Sequence, residues 1–230
     1  MTAGLLVIMA RYPTLGKVKT RLARDIGKAG ALRVYRQLLD HHRREFRRAP
    51  FDVEWRYTPA RAPFGRIVGQ AARLSRSSSS RETGETPVPR IRPQPPGDLG
   101  ERMQAIFAES FAAGYTRVVM IGTDAPEMSR ETVARALRLL RRYPAVFQPT
   151  EDGGYALVGM RTMLNVFSGI AWSTDRVMAQ TRMRLRKFDV DWAELPGTFD
   201  VDTAADISRA ELVVKNALAQ RRLAAPRRHR

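Results

Sequence analysis

The polar and apolar positions of this chain follow two rhythms that take turns. Leu5–Met9 is an unbroken run of five apolar residues, the pattern of a strand buried on both faces. RVVMI at Arg117–Ile121, Ala145–Gln148 and YALVGM at Tyr155–Met160 read the same way. Phe51–Tyr57 alternates instead, and Pro59 and Pro63 close it. Between these runs the spacing changes to three and four. Leu32, Tyr35, Leu38, Leu39, His42 and Phe46 share one face of a helix predicted over Ala31–Arg48. Met103, Ile106, Phe107 and Ser110 do so over Leu99–Ala113, with Asp98 as its N-cap. Ser129 is placed to cap a helix after GTDAP, and Ser173 one over about Thr174–Lys187. Phe188–Leu195 and Thr198–Val201 read as short extended pieces, and a last helix as about Thr203–Gln220. Strands alternating with helices predict an α/β fold: a Rossmann-like, mostly parallel sheet flanked by helices.

One stretch breaks both rhythms. Residues 69–93 hold little apolar content, a four-serine run and several prolines. Such a segment buries too little to offset its ordering entropy and is expected to be a mobile insertion. The domain expectation is a single nucleotide-binding transferase domain over 1–222, followed by a basic tail at 223–230.

Composition narrows the chemistry. The chain has 230 residues and no cysteine, which excludes disulfides, thiolate zinc sites and a cysteine nucleophile. No apolar run reaches the roughly 18 residues of a membrane helix. The start has no basic segment ahead of its short apolar run, so no secretory leader is expected and the default location is cytoplasmic. The net charge of +17 suggests a polyanionic partner. The arginines, however, are scattered over helix faces, insertion and tail without interleaved aromatics to stack on bases, so a nucleic-acid partner is disfavoured.

Candidate chemistry follows the strands. After Leu5–Met9 the chain turns through Pro13 and Gly16 and carries Arg11, Lys17, Lys19 and Arg21 toward a helix start at Thr20. Cations, turn N–H groups and a helix N-terminus make a place for phosphate. LGKVKT is not a P-loop: Arg11 replaces its first glycine and Val18 its Ser or Thr. Asp124 stands just past Arg117–Ile121, where a carboxylate suits Mg²⁺ or Mn²⁺ or else caps the turn. FDVDTAAD holds Asp200 and Asp202, which alternate and so point the same way. Asp202 is either a second metal contact or, like Thr203, a helix cap. EDGG offers Asp152 as a general base beside two glycines, or a plain Asp-Gly turn. Gly97 and Gly100 allow a nucleoside to approach the backbone. Trp172 either stacks on a ring or packs in the core. No histidine has a metal-ligand partner at suitable spacing, and no Ser-His-Asp pattern exists. Because ligands of such sheets bind outside the carboxyl ends of strands, residues 11–20, 122–126, 149–153 and 202–203 are expected to gather at one edge.

Taken in order, ARYPTLGKVKTRL, GDLGERM, IGTDAPEM, PTEDGGYALVGM, FSGIAWST and DVDTAAD resemble a bacterial family of small GT-A-type, glycosyltransferase-like proteins. Arsenosugar biosynthesis glycosyltransferases are among its members, and the 2-phospho-lactate and molybdenum cofactor guanylyltransferases lie nearby. The resemblance spans most of Leu5–Ile207 except about 67–93. It implies a nucleotide-diphospho-sugar transferase fold. Arg11, Gly16, Lys17, Lys19 and Arg21 would hold nucleotide phosphates, and Gly97, Asp98 and Gly100 would approach the nucleoside. Asp124 and Asp202 would sit at an Mg²⁺ or Mn²⁺ ion. Asp152, Gly153 and Gly154 would face the acceptor, with Trp172, Ser173 and Thr174 beside it. The superfamily's Asp-x-Asp is reduced here to Thr123-Asp124-Ala125, so a single acid anchors that loop and the metal is expected to arrive with the nucleotide.

The resulting expectation is a metal-dependent transfer from an NDP-sugar to a small-molecule acceptor, with Lys19 stabilising the leaving diphosphate and Asp152 handling the acceptor proton. The alternatives are nucleotidyl transfer with release of pyrophosphate, and a polyanion binder without catalysis.

Overall fold

The computed structural model describes residues 4–68 and 90–210. Its organising element is β1 (Leu5–Arg11), whose first four residues are all buried. Parallel partners flank it: β2 (Asp52–Thr58) on one side and β4 (Val118–Ile121) on the other. β3 (Arg90–Pro93) adds a parallel edge beyond β2. Beyond β4 come β6 (Tyr155–Met160), β5 (Ala145–Pro149) and β7 (Trp192–Glu194), completing a seven-stranded sheet in the order β3-β2-β1-β4-β6-β5-β7. β6 is antiparallel to both β4 and β5, while β5 and β7 pair parallel. The mostly parallel sheet expected from the apolar runs is present.

Period-2 alternation along β1 sorts the core into two layers. Leu6 and Ile8 join Tyr35, Leu39 and Phe46 of α1 (Leu22–Phe46) on one face. Val133 and Leu137 of α4 (Arg130–Leu139) complete that layer. Leu5 and Val7 face the other way, onto Met103, Ile106 and Phe107 of α3 (Leu99–Ala112) and Leu185 of α5 (Val177–Lys187). α2 is the short turn Gly65–Val68. The polar residues of β2 lie on the α3 side and are matched there. Arg56 bonds buried Glu54 and reaches Glu109 at 2.6 Å, and the Tyr115 hydroxyl donates to Asp52 at 2.6 Å. A charge buried this way is tolerated because it is paired.

Several expected boundaries move. Residues 90–93 are not insertion but strand β3; an exposed edge strand of alternating arginines has no apolar signature to read. Residues 69–89 of the expected insertion, residues 211–220 of the last helix and the tail 223–230 lie outside the described residues. α1 begins earlier than Ala31, at Leu22, and is broken at Gly27 (φ 74°, ψ 161°). Asp98 caps α3 as expected, through a reciprocal pair with Glu101. Ser129 caps α4. Ser173 does not cap α5: it has φ 64°, and the helix starts at Val177 with no side-chain cap. Among the described residues no helix is long and apolar enough to cross a membrane.

His42 on α1 is fully buried. Its Nδ1 lies 2.9 Å from the Leu38 carbonyl, which only accepts, so Nδ1 carries the proton and Nε2 is a bare lone pair without a partner. Burial pushes its pKa down to about 4. Between the ordinary histidine value near 6.5 and about 4, the unfolded chain binds the proton and the folded chain does not. Stability is therefore complete above that window and falls as pH drops through it, by about 3 kcal/mol from this group. Urea melts from pH 7.5 to 4.5 should show that decline, and His42→Phe should flatten it.

Candidate active site

The sheet order sets the place. β1 and β4 are neighbours, and their chains leave toward helices α1 and α4 on the same layer. β4 stops at Ile121, whose partner is Ile8, so β1 runs on past it. The Arg11 N–H and C=O then have no strand on that side. The Tyr35 hydroxyl takes both, accepting from Arg11 N at 2.8 Å and donating to Arg11 O at 3.0 Å. Its pKa is pushed up to about 12, chiefly by burial. Tyr35 therefore satisfies the end of β1 where β4 has stopped and props the start of the basic loop. The helix pattern marked it only as a core residue; an aromatic with a polar tip at the end of a strand is the signal that was there to find.

The loop itself turns at Gly16 (φ 71°) and is pinned by buried Val18. Arg11, Lys17 and Arg21 are exposed. Lys19 is not: φ 47° turns it inward, and its side chain is 4% exposed. Lys19 Nζ lies 2.5 Å from Asp124 Oδ1 and 3.3 Å from Asp202 Oδ1, while Arg21 holds Asp202 Oδ2 at 3.1 Å. The Val201 N–H donates to the Asp124 carbonyl at 3.1 Å, fixing the Asp200–Asp202 segment against the loop after β4. Burial alone would lower the Lys19 pKa; the charges of Asp124, then Asp202 and Asp200, outweigh it and hold the pKa above the ordinary lysine value. Lys19, Asp124 and Asp202 thus bring 11–20, 122–126 and 202–203 together as the α/β pattern implied, and Asp152 of 149–153 is near enough for its charge to act on Asp200.

Asp200 is the residue that sequence reasoning underused. It is partly buried, and its pKa is pushed up to about 7, first by burial, then by the charges of Asp124, Asp152 and Asp202, with Lys19 opposing. Its alternation with Asp202 was the legible clue. The start of the last helix is satisfied by other carboxylates than the Asp202 or Thr203 caps expected of this segment. Asp206 reaches back to the N–H groups of Asp202 and Thr203, at 3.1 and 2.8 Å. Asp25 accepts from Ala204 N at 3.0 Å. Asp202 keeps its carboxylate for the cations.

Asp152 lies on the turn between β5 and β6. The Thr150 hydroxyl and the Gly154 N–H donate to its Oδ1 at 2.5 and 3.2 Å, so the exposed carboxylate has a fixed orientation. The glycines beside it have packing duties that were not foreseen. Gly153 (φ 84°) presses on the segment before α5: an added Cβ would lie 1.9 Å from the Asp175 carbonyl oxygen, and Met178 N donates to Gly153 O at 2.8 Å. Gly100 is buried, and its Cβ would lie 2.8 Å from Trp172 Nε1. Trp172 packs with Tyr155 and Phe167 as part of the α3-side core. The Thr174 hydroxyl is committed to the Ala171 carbonyl at 2.7 Å. Gly97 (φ 109°) makes the turn into α3, Asp98 is occupied by its cap, and Ser173 is exposed. Asp98 and Gly100 thus have structural roles at the start of α3, and Gly153 and Thr174 in the turns they occupy. A second expectation also changes. The break at Gly27 leaves little more than one helical turn after the basic loop, so a long helix dipole does not point at it and its positive field is that of its cations.

Among the described residues no group of three or more His, Cys, Asp or Glu side chains is assembled to hold a metal. The donors that are present, Asp124 and Asp202, are oxygen ligands converging on one cation position. That fits Mg²⁺ or Mn²⁺ of the kind held by one or two carboxylates plus substrate phosphates. A concavity of about 590 Å³ opens beside the basic loop, between Tyr12, Pro13, Arg36 and Ile67; no aspartate of the cluster lines it.

A bacterial family described as "uncharacterized protein conserved in bacteria" (DUF2064) matches residues 69–174. No curated protein matches the sequence. A crystal structure from Desulfovibrio desulfuricans G20, provisionally named a nucleotide-diphospho-sugar transferase, is 31% identical with a TM-score of 0.77, over 88% of this chain and 84% of that one. Two more distant structures share the fold. CMP:2-keto-3-deoxy-manno-octonic acid synthetase, solved with CTP, is 13% identical with a TM-score of 0.55, over 93% of this chain and 99% of that one. 4-Diphosphocytidyl-2C-methyl-D-erythritol synthase is 12% identical with a TM-score of 0.56, over the same shares.

The turn geometry makes a prediction of its own. Gly153→Ala should destabilise the fold by roughly 2–4 kcal/mol, because backbone must move to admit the methyl group. Gly122→Ala, next to Asp124 but with nothing within 4 Å of the new carbon, should stay within about 0.5 kcal/mol. Parallel urea melts of the two variants check the contrast.

Proposed function

We propose that this chain, which belongs to the nucleotide-diphospho-sugar transferase superfamily, transfers a glycosyl group from a nucleotide-diphospho-sugar to the hydroxyl of a small-molecule acceptor. The supporting observation is the convergence of Lys19 and Arg21 with Asp124, Asp200 and Asp202 at the carboxyl edge of the sheet, with Asp152 close enough to act on Asp200. A leaving diphosphate needs cations, and an incoming hydroxyl needs a carboxylate; this edge supplies both.

The roles follow from exposure and orientation. Arg11, Lys17 and Arg21 face outward and take phosphate oxygens by charge-assisted hydrogen bonds. Asp124 and Asp202 would hold a divalent cation, which when bound supplies electrophilic stabilisation to the diphosphate. Asp152, oriented by the Thr150 hydroxyl, receives the acceptor proton as the acceptor oxygen bonds to the anomeric carbon and the bond to diphosphate breaks. Asp200 adds a carboxyl whose pKa near 7 lets it hold or release a proton at neutral pH. The nucleoside would approach the backbone at the Gly97 turn into α3.

Nucleotidyl transfer uses the same cations with pyrophosphate as leaving group, and its support is the fold shared with the CTP-bound synthetase. Product analysis separates the two: a nucleoside diphosphate signals glycosyl transfer, and pyrophosphate signals nucleotidyl transfer.

A thermal-shift panel of NDP-sugars and NTPs, each with and without Mn²⁺, should show stabilisation by at least one nucleotide. Lys17→Ala and Arg21→Ala should each weaken that nucleotide by about 1.5–3 kcal/mol, the worth of a charge-assisted bond. Unchanged affinity in both variants removes the phosphate role from the loop. Asp152→Asn should cut turnover roughly 10²–10⁴-fold and leave nucleotide affinity alone; wild-type turnover in that variant ends its role.

A further inference from the structure

The acidic edge already contains a cation, and the chain supplies it. Lys19 Nζ sits between Asp124 Oδ1 and Asp202 Oδ1, at 2.5 and 3.3 Å. The lysine side chain is 4% exposed, whereas those of Asp124 and Asp202 are 46% and 34% exposed. The ammonium is thus underneath, and the carboxylates open outward above it. The other oxygen of Asp202 is held by Arg21 at 3.1 Å. The same two carboxylates are the donors on this edge that suit a hard divalent cation.

We infer that Lys19 is an internal surrogate for the divalent cation: it keeps Asp124 and Asp202 closed to metal until phosphate draws it away. The first half of this inference concerns the protein alone; the second rests on the proposed nucleotide site.

The physical argument is competition for oxygens. An ammonium and a divalent cation cannot share the Asp124–Asp202 pair, because two positive charges a few ångströms apart in a half-buried site repel strongly. Lys19 bridges the pair, whose like charges would otherwise repel each other. The loop is built to present Lys19 there. Its φ of 47° is a left-handed conformation that L residues seldom adopt, and it turns Lys19 inward while its neighbours Lys17 and Arg21 face solvent. Buried Val18 anchors the turn one residue before. A diphosphate arriving at Arg11, Lys17 and Arg21 offers the ammonium a second set of oxygens. Moving to them frees the carboxylates at the moment the phosphates need a metal. Binding of nucleotide and metal is then mutually reinforcing, as linkage requires of any such pair.

The experiment uses Mn²⁺ alone, with the free ion followed by electron paramagnetic resonance in titrations of the full chain. Wild type should bind Mn²⁺ weakly. Lys19→Met, which removes the charge and keeps the length, should bind one equivalent at least tenfold more tightly. Lys19→Arg, which keeps the charge, should stay as weak as wild type. Asp124→Asn in the Lys19→Met background should lose the gain. Lys19→Gln, which can still donate a hydrogen bond to the carboxylates, serves as the second neutral variant should Lys19→Met fold poorly; it should gain affinity and rise in melting temperature with Mn²⁺. Equal Mn²⁺ affinity in wild type and folded neutral variants overturns the inference. Failure of every nucleotide in the thermal-shift panel overturns the functional proposal separately, because the Mn²⁺ titration contains no nucleotide.

Discussion

One ammonium group joins three segments at the carboxyl edge of the sheet. Lys19 belongs to the loop after β1, Asp124 to the loop after β4, and Asp202 to the segment that follows β7. Without it, Asp124 would lose its ion pair and Asp202 would keep only Arg21. Burying a lysine is costly unless it is paired, and here the pairing outweighs the burial. The interaction is possible only because the strand order sets β1 beside β4 and because antiparallel β6 returns the chain so that β5 and β7 can run parallel to them.

The second constraint is the pair of backbone bonds that Tyr35 makes at the end of β1. Parallel strands of equal length would pair to their ends and leave no crevice. β4 is short, β1 is long, and the hydroxyl of a helix residue satisfies the Arg11 backbone where a strand would otherwise be. Fold and site are thus coupled through ordinary backbone hydrogen bonding. The same logic explains the glycines beside Asp152. Gly153 lets the segment before α5 press against the β5–β6 turn, and that contact holds the turn still while the Thr150 hydroxyl aims the carboxylate.

The sequence disclosed what burial writes into it. β1, β4, β5 and β6 were readable because strands covered on both faces become apolar runs, and α3 because its cap and inward stripe agree. β3 was missed because an exposed edge strand needs no apolar residues. The break in α1 was missed because Gly27 alone does not say whether a helix tolerates it or bends there. At the edge, Asp124 and Asp202 were identified by their position after extended segments, and their meeting was anticipated. The inward turn of Lys19 was not, because a left-handed lysine leaves no mark where a glycine would have left one. Nor could spacing show that Asp200 is the carboxyl most perturbed by its surroundings, since burial of a polar group depends on what packs over it.

The bonds that assemble this edge are among the longest-range in sequence. Lys19 and Asp202 are 183 positions apart, Arg21 and Asp202 181, and Asp25 and Ala204 179. The β5–β6 hairpin is local by comparison and can form early, whereas closing the chain from the first loop to the last must await the sheet between them. The charged edge therefore closes one of the longest loops in the chain and relies on the sheet between its two ends to offset that entropy. Nothing local can substitute for it: the edge exists only when the first loop and the segment after β7 are both docked on the finished sheet.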